Sequence, residues 1–396
     1  MERAPILCAT LLTLVSCGKA TLEKGNWDEY NHGMLTRLIA SDGKDSRDYD
    51  KSRKPYAVFD FDNTSIIGDI GVATMIYQLE NLELRLSPDE IWTSFTDLFP
   101  DIEAPVPGLG GISVRELASD ITDDYRFLFD KYISSSEMSL EDIMTRPEYL
   151  DFRAKTYALC AGSDALGYEV GCLWILRLFN GMTKDEARNI ARKAADDALS
   201  REKITKETWE SPDRGKAGKV KVEFFRGIGI TPEMTDLYGT LRRNGIDVYI
   251  CSASMKEVVE AVACDPKYGF GVPAGHVHGI RLKGDKIINA EYDPSWPMTF
   301  KEGKVECIKQ FIAPEHGHRS PVLVAGDSNG DYQMLTEFKD LSIGLIINRG
   351  GTGGIEDLSK AAEASRDKGK EKSGTRYLLQ GRDMTDKTFV KSYKSR

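Results

Sequence analysis

The stretch YAVFDFDNTS, residues 56–65, runs an apolar tetrapeptide straight into Asp60-Phe61-Asp62-Asn63-Thr64. Tyr56, Ala57, Val58 and Phe59 read as a strand covered on both faces, the habit of parallel strands in α/β proteins. A buried strand has no packing use for two carboxylates two residues apart. One Asp at a strand end can cap a turn. The carboxyl end of a parallel strand is also where doubly wound sheets bind their ligands.

Three more apolar runs have the same character: 247–252, 321–326 and 343–347. Helical spacing precedes the first two of these, at 234–244 ending on Gly245 and at 303–312 ahead of Pro314. Alternation of strand and helix predicts a doubly wound, Rossmann-like parallel α/β sheet. The long stretch between the runs at 56 and 247 reads differently. Helical patterns cover 88–98, 114–132, 151–161, 168–178 and 184–199, the last opened by a capping box of Thr183 and Glu186. The expected organisation is therefore an α/β core, 18–69 and 226–396, interrupted by an inserted α-helical cap, 70–225. Residues 278–293 alternate about Gly284-Asp285 and predict a hairpin. No internal repeat is present, and the tail 365–374 mixes acids with bases, as a solvated loop does.

Three strand ends are polar. The first carries Asp60, Asp62 and Thr64, the second Ser252, Ala253 and Ser254, the third Gly326-Asp327-Ser328-Asn329-Gly330-Asp331. Lys304 opens the helix before the third. Each has an ordinary account alone, as a turn, a cap or a surface lysine. Gathered at one sheet edge, four acids would repel one another unless a cation stood among them, and oxygen donors with retained waters suit Mg²⁺. A lysine and a hydroxyl beside them suit a phosphate.

In order and chemistry, DFDNT, ICSAS, Lys304 and GDSNGD resemble the four motifs of the haloacid dehalogenase (HAD) superfamily phosphatases. The spacing from Lys304 to Asp327 and the hairpin after the second motif are similar to the phosphoserine-phosphatase-like branch. Asp60-x-Asp62-Asn63-Thr64-Ser65, with an acid at Asp69, is similar to phosphorylcholine-phosphatase-like members. The resemblance implies Mg²⁺-dependent hydrolysis of a small phosphomonoester. In it Asp60 is the nucleophile that becomes an aspartyl-phosphate, and Asp62 the general acid and base. Mg²⁺ is held by the Asp60 carboxylate, the Asp62 backbone carbonyl and Asp327, with Asp331 acting through water or on Lys304. Ser252, Ala253 and Lys304 take the phosphoryl group, and Thr64 orients the turn. Lys301, in the same FKEGK segment, competes for the Lys304 role. Asp69 either caps the loop between Gly68 and Gly71 or faces a cationic leaving group, as in phosphorylcholine, phosphoethanolamine or phosphoserine. Trp92, Trp174 and Trp209 are either core or an aromatic cage for such a cation. A phosphotransferase and a non-catalytic binding lipoprotein are the competing readings.

The 396 residues carry a formal charge of −9, with 29% charged residues of both signs interspersed. A basic nucleic-acid face is not expected from that balance. The segment from Pro5 to Ser16 has the length of a signal-peptide core, too short to span a bilayer. Leu14-Val15-Ser16-Cys17 resembles a bacterial lipobox. That implies a signal segment 1–17, export, and a lipid at Cys17 tethering the protein to a membrane, the alternative being a plain secretory signal. Of seven cysteines, Cys160 and Cys172 are near enough in sequence to pair, or are buried as small apolar groups. The five histidines show no zinc spacing.

Overall fold

The computed structural model describes residues 20–135, 137–366 and 376–396. The expected signal segment 1–17 with Cys17, and most of the tail 365–374, lie outside the described residues. Among the described residues no helix is long and apolar enough to cross a membrane.

Helix α1 (Glu29–Asp42), capped by Asp28, leads into β1 (Tyr56–Phe59), buried at every position. The chain then builds α2 (Ile70–Asn81), α3 (Pro88–Thr96), α4 (Val114–Leu128), α5 (Leu140–Met144), α6 (Pro147–Ala165), α7 (Tyr168–Ile175) and α8 (Lys184–Ser200). An antiparallel pair, β2 (Thr205–Glu210) and β3 (Lys221–Arg226), closes this insertion. The return to the sheet runs through α9 (Pro232–Arg243), β4 (Asp247–Met255), α10 (Lys256–Ala263) and β5 (Val277–Ile280), then the hairpin β6 (Leu282–Lys283) and β7 (Asn289–Tyr292). The remainder is α11 (Glu302–Cys307), β8 (Leu323–Gly326), α12 (Tyr332–Thr336), β9 (Ile343–Asn348), α13 (Gly354–Arg366), β10 (Arg376–Asp383) and β11 (Thr388–Phe389).

The main sheet has the order β11-β10-β9-β8-β1-β4-β5, parallel except for the edge strand β11. Strand pleating sorts its side chains. Ala57, Phe59, Val248 and Ile250 enter one core layer; Tyr56, Val58, Tyr249 and Cys251 enter the other. β1 lies between β4 and β8, and the carboxyl ends of these three strands open on one edge. Connections leave to opposite sides of β1, so this edge is the switch point of the sheet.

The insertion has a core of its own, built from residues such as Leu84, Ile91, Leu117, Tyr125, Phe152 and Trp174. It is not wholly helical as expected: Trp209, Val222 and Phe224 bring the β2–β3 pair into that core. Nor does the whole span 70–225 belong to it. Ala187, Ile190, Ala191 and Ala195 of α8 are buried with the sheet-side layer, packed on α10. A stripe of alanines gives little side chain to hold helices apart, so α8 sits close against the core.

Polar links fix the insertion. Lys155, fully buried, places Nζ 2.8 Å from Asp120, 2.8 Å from Asp151 and 2.9 Å from the Arg214 carbonyl. Asp120 also accepts the backbone N–H groups of Lys216 and Ala217 at 2.8 and 2.9 Å. Where the chain crosses back, Arg226 donates to both Glu80 oxygens at 2.5 Å and to Asp197 at 3.2 Å.

Candidate active site

Backbone geometry after β1 turns the two carboxyl groups to different jobs. Asn63 takes a left-handed conformation (φ 59°), and Arg382 of β10 holds it there, donating to its carbonyl at 3.0 Å and its side-chain oxygen at 3.2 Å. Ser65 donates to the Asp60 carbonyl at 2.5 Å. Asp60 is buried, with one carboxylate oxygen 2.7 Å from Lys304 Nζ and the other 3.2 Å from the Thr64 hydroxyl. Asp62 points elsewhere. Its Oδ1 accepts the Ile70 N–H at 2.7 Å and its Oδ2 the Ser254 hydroxyl at 2.6 Å, with Ser252 Oγ at 3.5 Å.

On the third strand, Asp331 folds back over Gly326. A Cβ at position 326 would stand 2.4 Å from that of Asp331, so glycine is required there. Asp331 Oδ2 accepts the N–H groups of Asp327 and Ser328 at 2.9 and 3.2 Å, and its Oδ1 lies 2.6 Å from Lys304 Nζ. Asp327 accepts from Thr64 at 2.9 Å and from Arg349 at 2.8 Å. Thr299 donates to the Ser252 carbonyl at 2.5 Å, fastening the β4 loop to the segment that carries Lys304. The Lys301 ammonium instead lies 4.9 Å from the centre of the Phe300 ring.

Among the described residues, Asp60, Asp327 and Asp331 bring carboxylate oxygens within 4.8 Å of one another. Burial, then the charge of Asp331, holds the Asp60 carboxyl well above the ordinary range; Lys304 works against both. Burial and Asp331 raise Asp327 likewise, against Arg349 and Thr64. Burial opposes the charge on Lys304, but Asp331 and Asp60 outweigh it and hold the ammonium more firmly protonated than usual. One lysine is thus shared among acids that still repel one another. Three hard, buried oxygen donors short of positive charge fit a small divalent cation such as Mg²⁺. The Asp62 carboxylate stands outside this group. Burial, with the charge of Asp69 adding to it, pushes its carboxyl up to about 8, against hydrogen bonds from Ser254 and Ile70.

A cavity of about 530 Å³ opens here, lined by Asp60, Asp62, Asp69, Ser252, Ala253 and Lys304 together with Lys301, Asp327 and Arg349. A second, of about 310 Å³, shares Asn63, Asp69 and Arg349 with it and extends under the insertion to Tyr157, Asp197, Glu223, Phe224, Phe225 and Arg226. Asp69 caps α2, accepting the Val72 N–H at 2.9 Å, and it also lines both cavities. Of the tryptophans, Trp174 and Trp209 are buried in the core of the insertion, and none of the three lines either cavity. The described cysteines form no disulfide with one another. His276, His278 and His316 stack on Tyr249, Trp296 and Tyr56 rather than meeting as ligands.

Sequence reasoning assigned no role to Ser254, Arg349 or Arg382. Ser254 was visible two residues past Ser252, where a strand side would repeat. Arg349 and Arg382 have no local signature, because the sheet order brings them to the site.

Residues 170–336 match the family model of haloacid dehalogenase-like hydrolases. That span holds Ser252, Lys304, Asp327 and Asp331; Asp60 and Asp62 precede it across the insertion. Phosphorylcholine phosphatase of Pseudomonas aeruginosa is 28% identical over 49% of this chain, which spans 58% of that protein's length. A crystal structure of a conserved protein of unknown function from Anaerococcus prevotii is 30% identical, with a TM-score of 0.85 over 96% of this chain and 99% of that one. The latter likeness includes the insertion as well as the sheet.

Proposed function

Because the chain carries a hydrolase domain of the haloacid dehalogenase superfamily, we propose that it hydrolyses small phosphomonoesters through an aspartyl-phosphate on Asp60. The observation that carries this reading is the division of labour between two carboxyl groups two residues apart. Asp60 lies in the charged cluster with Lys304 and Thr64, suited to meet a phosphoryl group. Asp62 stands outside it, with burial and Asp69 favouring its protonated form, suited to give a proton.

In the first step Asp60 forms a bond to phosphorus while the ester P–O bond breaks, and Asp62 transfers its proton to the departing alkoxide. In the second, Asp62 takes a proton from water as the water oxygen attacks phosphorus, and Asp60 leaves as carboxylate. Lys304, Ser252 and the backbone N–H groups at Ala253 are the positions for the phosphoryl oxygens. A Mg²⁺ ion held by Asp60, Asp327, Asp331 and the Asp62 carbonyl would supply the remaining neutralisation of that charge. Thr64 bridges Asp60 and Asp327 and keeps both carboxylates in register.

The second cavity is the place for the leaving group. In its wall Asp197 and Glu223 are paired with Arg226 and Lys206, which leaves Asp69 with the rings of Tyr157, Phe224 and Phe225 as the groups that would receive a cationic alcohol such as choline or ethanolamine. The named activity of the Pseudomonas relative agrees with that choice. Phosphate release by the full chain, with Mg²⁺ or EDTA, tests the reading: activity is expected with Mg²⁺ and lost with EDTA. Equal turnover of choline phosphate and glycerol phosphate would sink the cationic preference. Activity that survives EDTA would overturn the metal assignment.

Asp62 can act as described only if its carboxyl stays aimed. Ser254→Ala removes one of its two short hydrogen bonds. The expected result is a kcat lower by roughly tenfold with KM little changed, since general acid–base geometry is worth 10²–10⁴ in all. Ser254→Thr, which restores the hydroxyl, is expected to recover most of the rate. Unchanged kcat in Ser254→Ala would show that the hydroxyl does not position Asp62.

A further inference from the structure

Both oxygens of Asp327 are engaged. Oδ1 accepts from Thr64 at 2.9 Å and Oδ2 from Arg349 at 2.8 Å. The two donors differ in kind. Thr64 is buried in the turn after β1, tied to Asp60 as well, and has nowhere else to go. Arg349 has a side chain 44% exposed, on a long flexible stem, while Asp327 beneath it is 2% exposed. It stands at the junction of the two cavities and lines both.

Arg349 stands at the head of a glycine-rich loop. It directly follows β9 and opens the stretch Arg349-Gly350-Gly351-Thr352-Gly353-Gly354. Gly350 and Gly353 have left-handed φ values of 69° and 76°, and a Cβ at Gly350 would meet nothing within 4 Å. The far end of the loop is fastened to the motif that carries Asp327. Asn329 donates to the Thr352 carbonyl at 2.8 Å and accepts the Ile355 N–H at 3.0 Å.

Charge then decides what Arg349 does. Of three carboxylates, Asp60 and Asp331 pair with the buried Lys304 ammonium, while Asp327 has the charge of buried Arg382 near it and Arg349 in direct contact. Arg349 brings the cluster closer to balance. A divalent cation in the cluster would complete that balance without it, leaving the guanidinium in excess beside the position of an incoming anion. A planar guanidinium offers a fork that matches phosphoryl oxygens as well as carboxylate.

Resting on the phosphatase reading, we propose that Arg349 is a partner-switching residue. It neutralises Asp327 in the metal-free protein and turns to the substrate's phosphoryl oxygens when a divalent cation takes Asp327. It is then a phosphate-binding residue outside the four motifs, and it competes with the metal for one carboxylate.

Calorimetric titration of the full chain separates the two halves of the claim. Wild type, Arg349→Gln and Arg349→Lys are titrated with Mg²⁺, then with inorganic phosphate at saturating Mg²⁺. Arg349→Gln is expected to bind Mg²⁺ more tightly than wild type, having lost the competitor. It is expected to bind phosphate roughly tenfold more weakly, having lost a charge-assisted contact. Arg349→Lys, which keeps the charge without the fork, is expected between the two on both measures. Unchanged or weaker Mg²⁺ binding by Arg349→Gln would mean that Arg349 only supports Asp327, and overturns the proposal. Unchanged phosphate binding overturns it equally. Wild type that takes no phosphate with Mg²⁺ present, yet releases phosphate from a phosphomonoester, overturns this inference alone; wild type that does neither overturns the phosphatase reading as well. Melting curves of the variants, with Arg349→Lys as the conservative change, distinguish lost contacts from lost folding.

Discussion

Replacing Asp60 by Asn is expected to abolish phosphate release, by three orders of magnitude or more (~10³), while leaving the protein folded. The amide has the shape of the carboxyl group but no charge with which to form an acyl phosphate. Stability is not expected to suffer, for a physical reason visible at the site. Asp60 is buried beside Asp331 and Asp327, and its ionised form is disfavoured there; Lys304 retains Asp331 at 2.6 Å when Asp60 is neutral. Removing one of three mutually repelling carboxylates relieves strain as well as removing a partner. Rate assays paired with thermal melts check both halves. Wild-type turnover in Asp60→Asn would contradict the nucleophile assignment. Gross unfolding would contradict the electrostatic account of the cluster.

The second large effect lies far from that chemistry. Lys155→Met is expected to destabilise the insertion by about 3–5 kcal/mol, the cost of stranding buried charges by removing one partner. Lys155 is the ammonium between Asp120 and Asp151, and Asp120 in turn holds the backbone at Lys216 and Ala217. Nearby, burial and a hydrogen bond to Asp151 push Asp124 up to about 9, so that carboxyl already avoids ionisation. Asp120 and Asp151 both rest on the one Lys155 ammonium. Urea titration and hydrogen exchange are the measurements, with faster exchange expected in α4, α6 and the β2–β3 connection. Adding Asp120→Asn and Asp151→Asn to Lys155→Met is expected to recover part of the loss. A loss below about 1 kcal/mol, typical of exposed ion pairs, would show that the network is solvated.

Much of this arrangement is legible in the chain, because its chemistry sits at strand ends. A run such as Tyr56–Phe59 can only be a strand covered on both faces, and polar residues after such runs mark the edge where they meet. The capping box at Thr183 and Glu186 likewise fixes the start of α8. Lys304 rather than Lys301 reaches Asp60, in keeping with its spacing to Asp327 and its place near the start of the helix. Other parts were hidden for definite reasons. β10 is not among the predicted strands; its Gln380 and Arg382 are polar yet buried, because they serve other segments: Gln380 accepts the Asp28 N–H and Arg382 grips Asn63. The start of the segment read as one hairpin, Val277-His278-Gly279-Ile280, instead joins the main sheet as β5, parallel to β4, and the hairpin itself is only β6 and β7. Trp174 and Trp209 offered an aromatic cage only while their partners were unknown; Trp174 donates to the Phe95 carbonyl deep in the insertion. Arg349 depends on β9 lying next to β8, a fact of sheet order rather than of any motif.

The proposed reaction turns on one covalent bond, between Asp60 and phosphorus. Borohydride reduces an acyl phosphate to the alcohol and leaves an ordinary carboxylate alone, so a quench during turnover converts a phosphorylated aspartate to homoserine. Peptide mass spectrometry then reads which residue was modified. Homoserine at position 60, dependent on both substrate and Mg²⁺, is the expected result. Steady phosphate release with Asp60 unmodified, or homoserine at another aspartate, would contradict it.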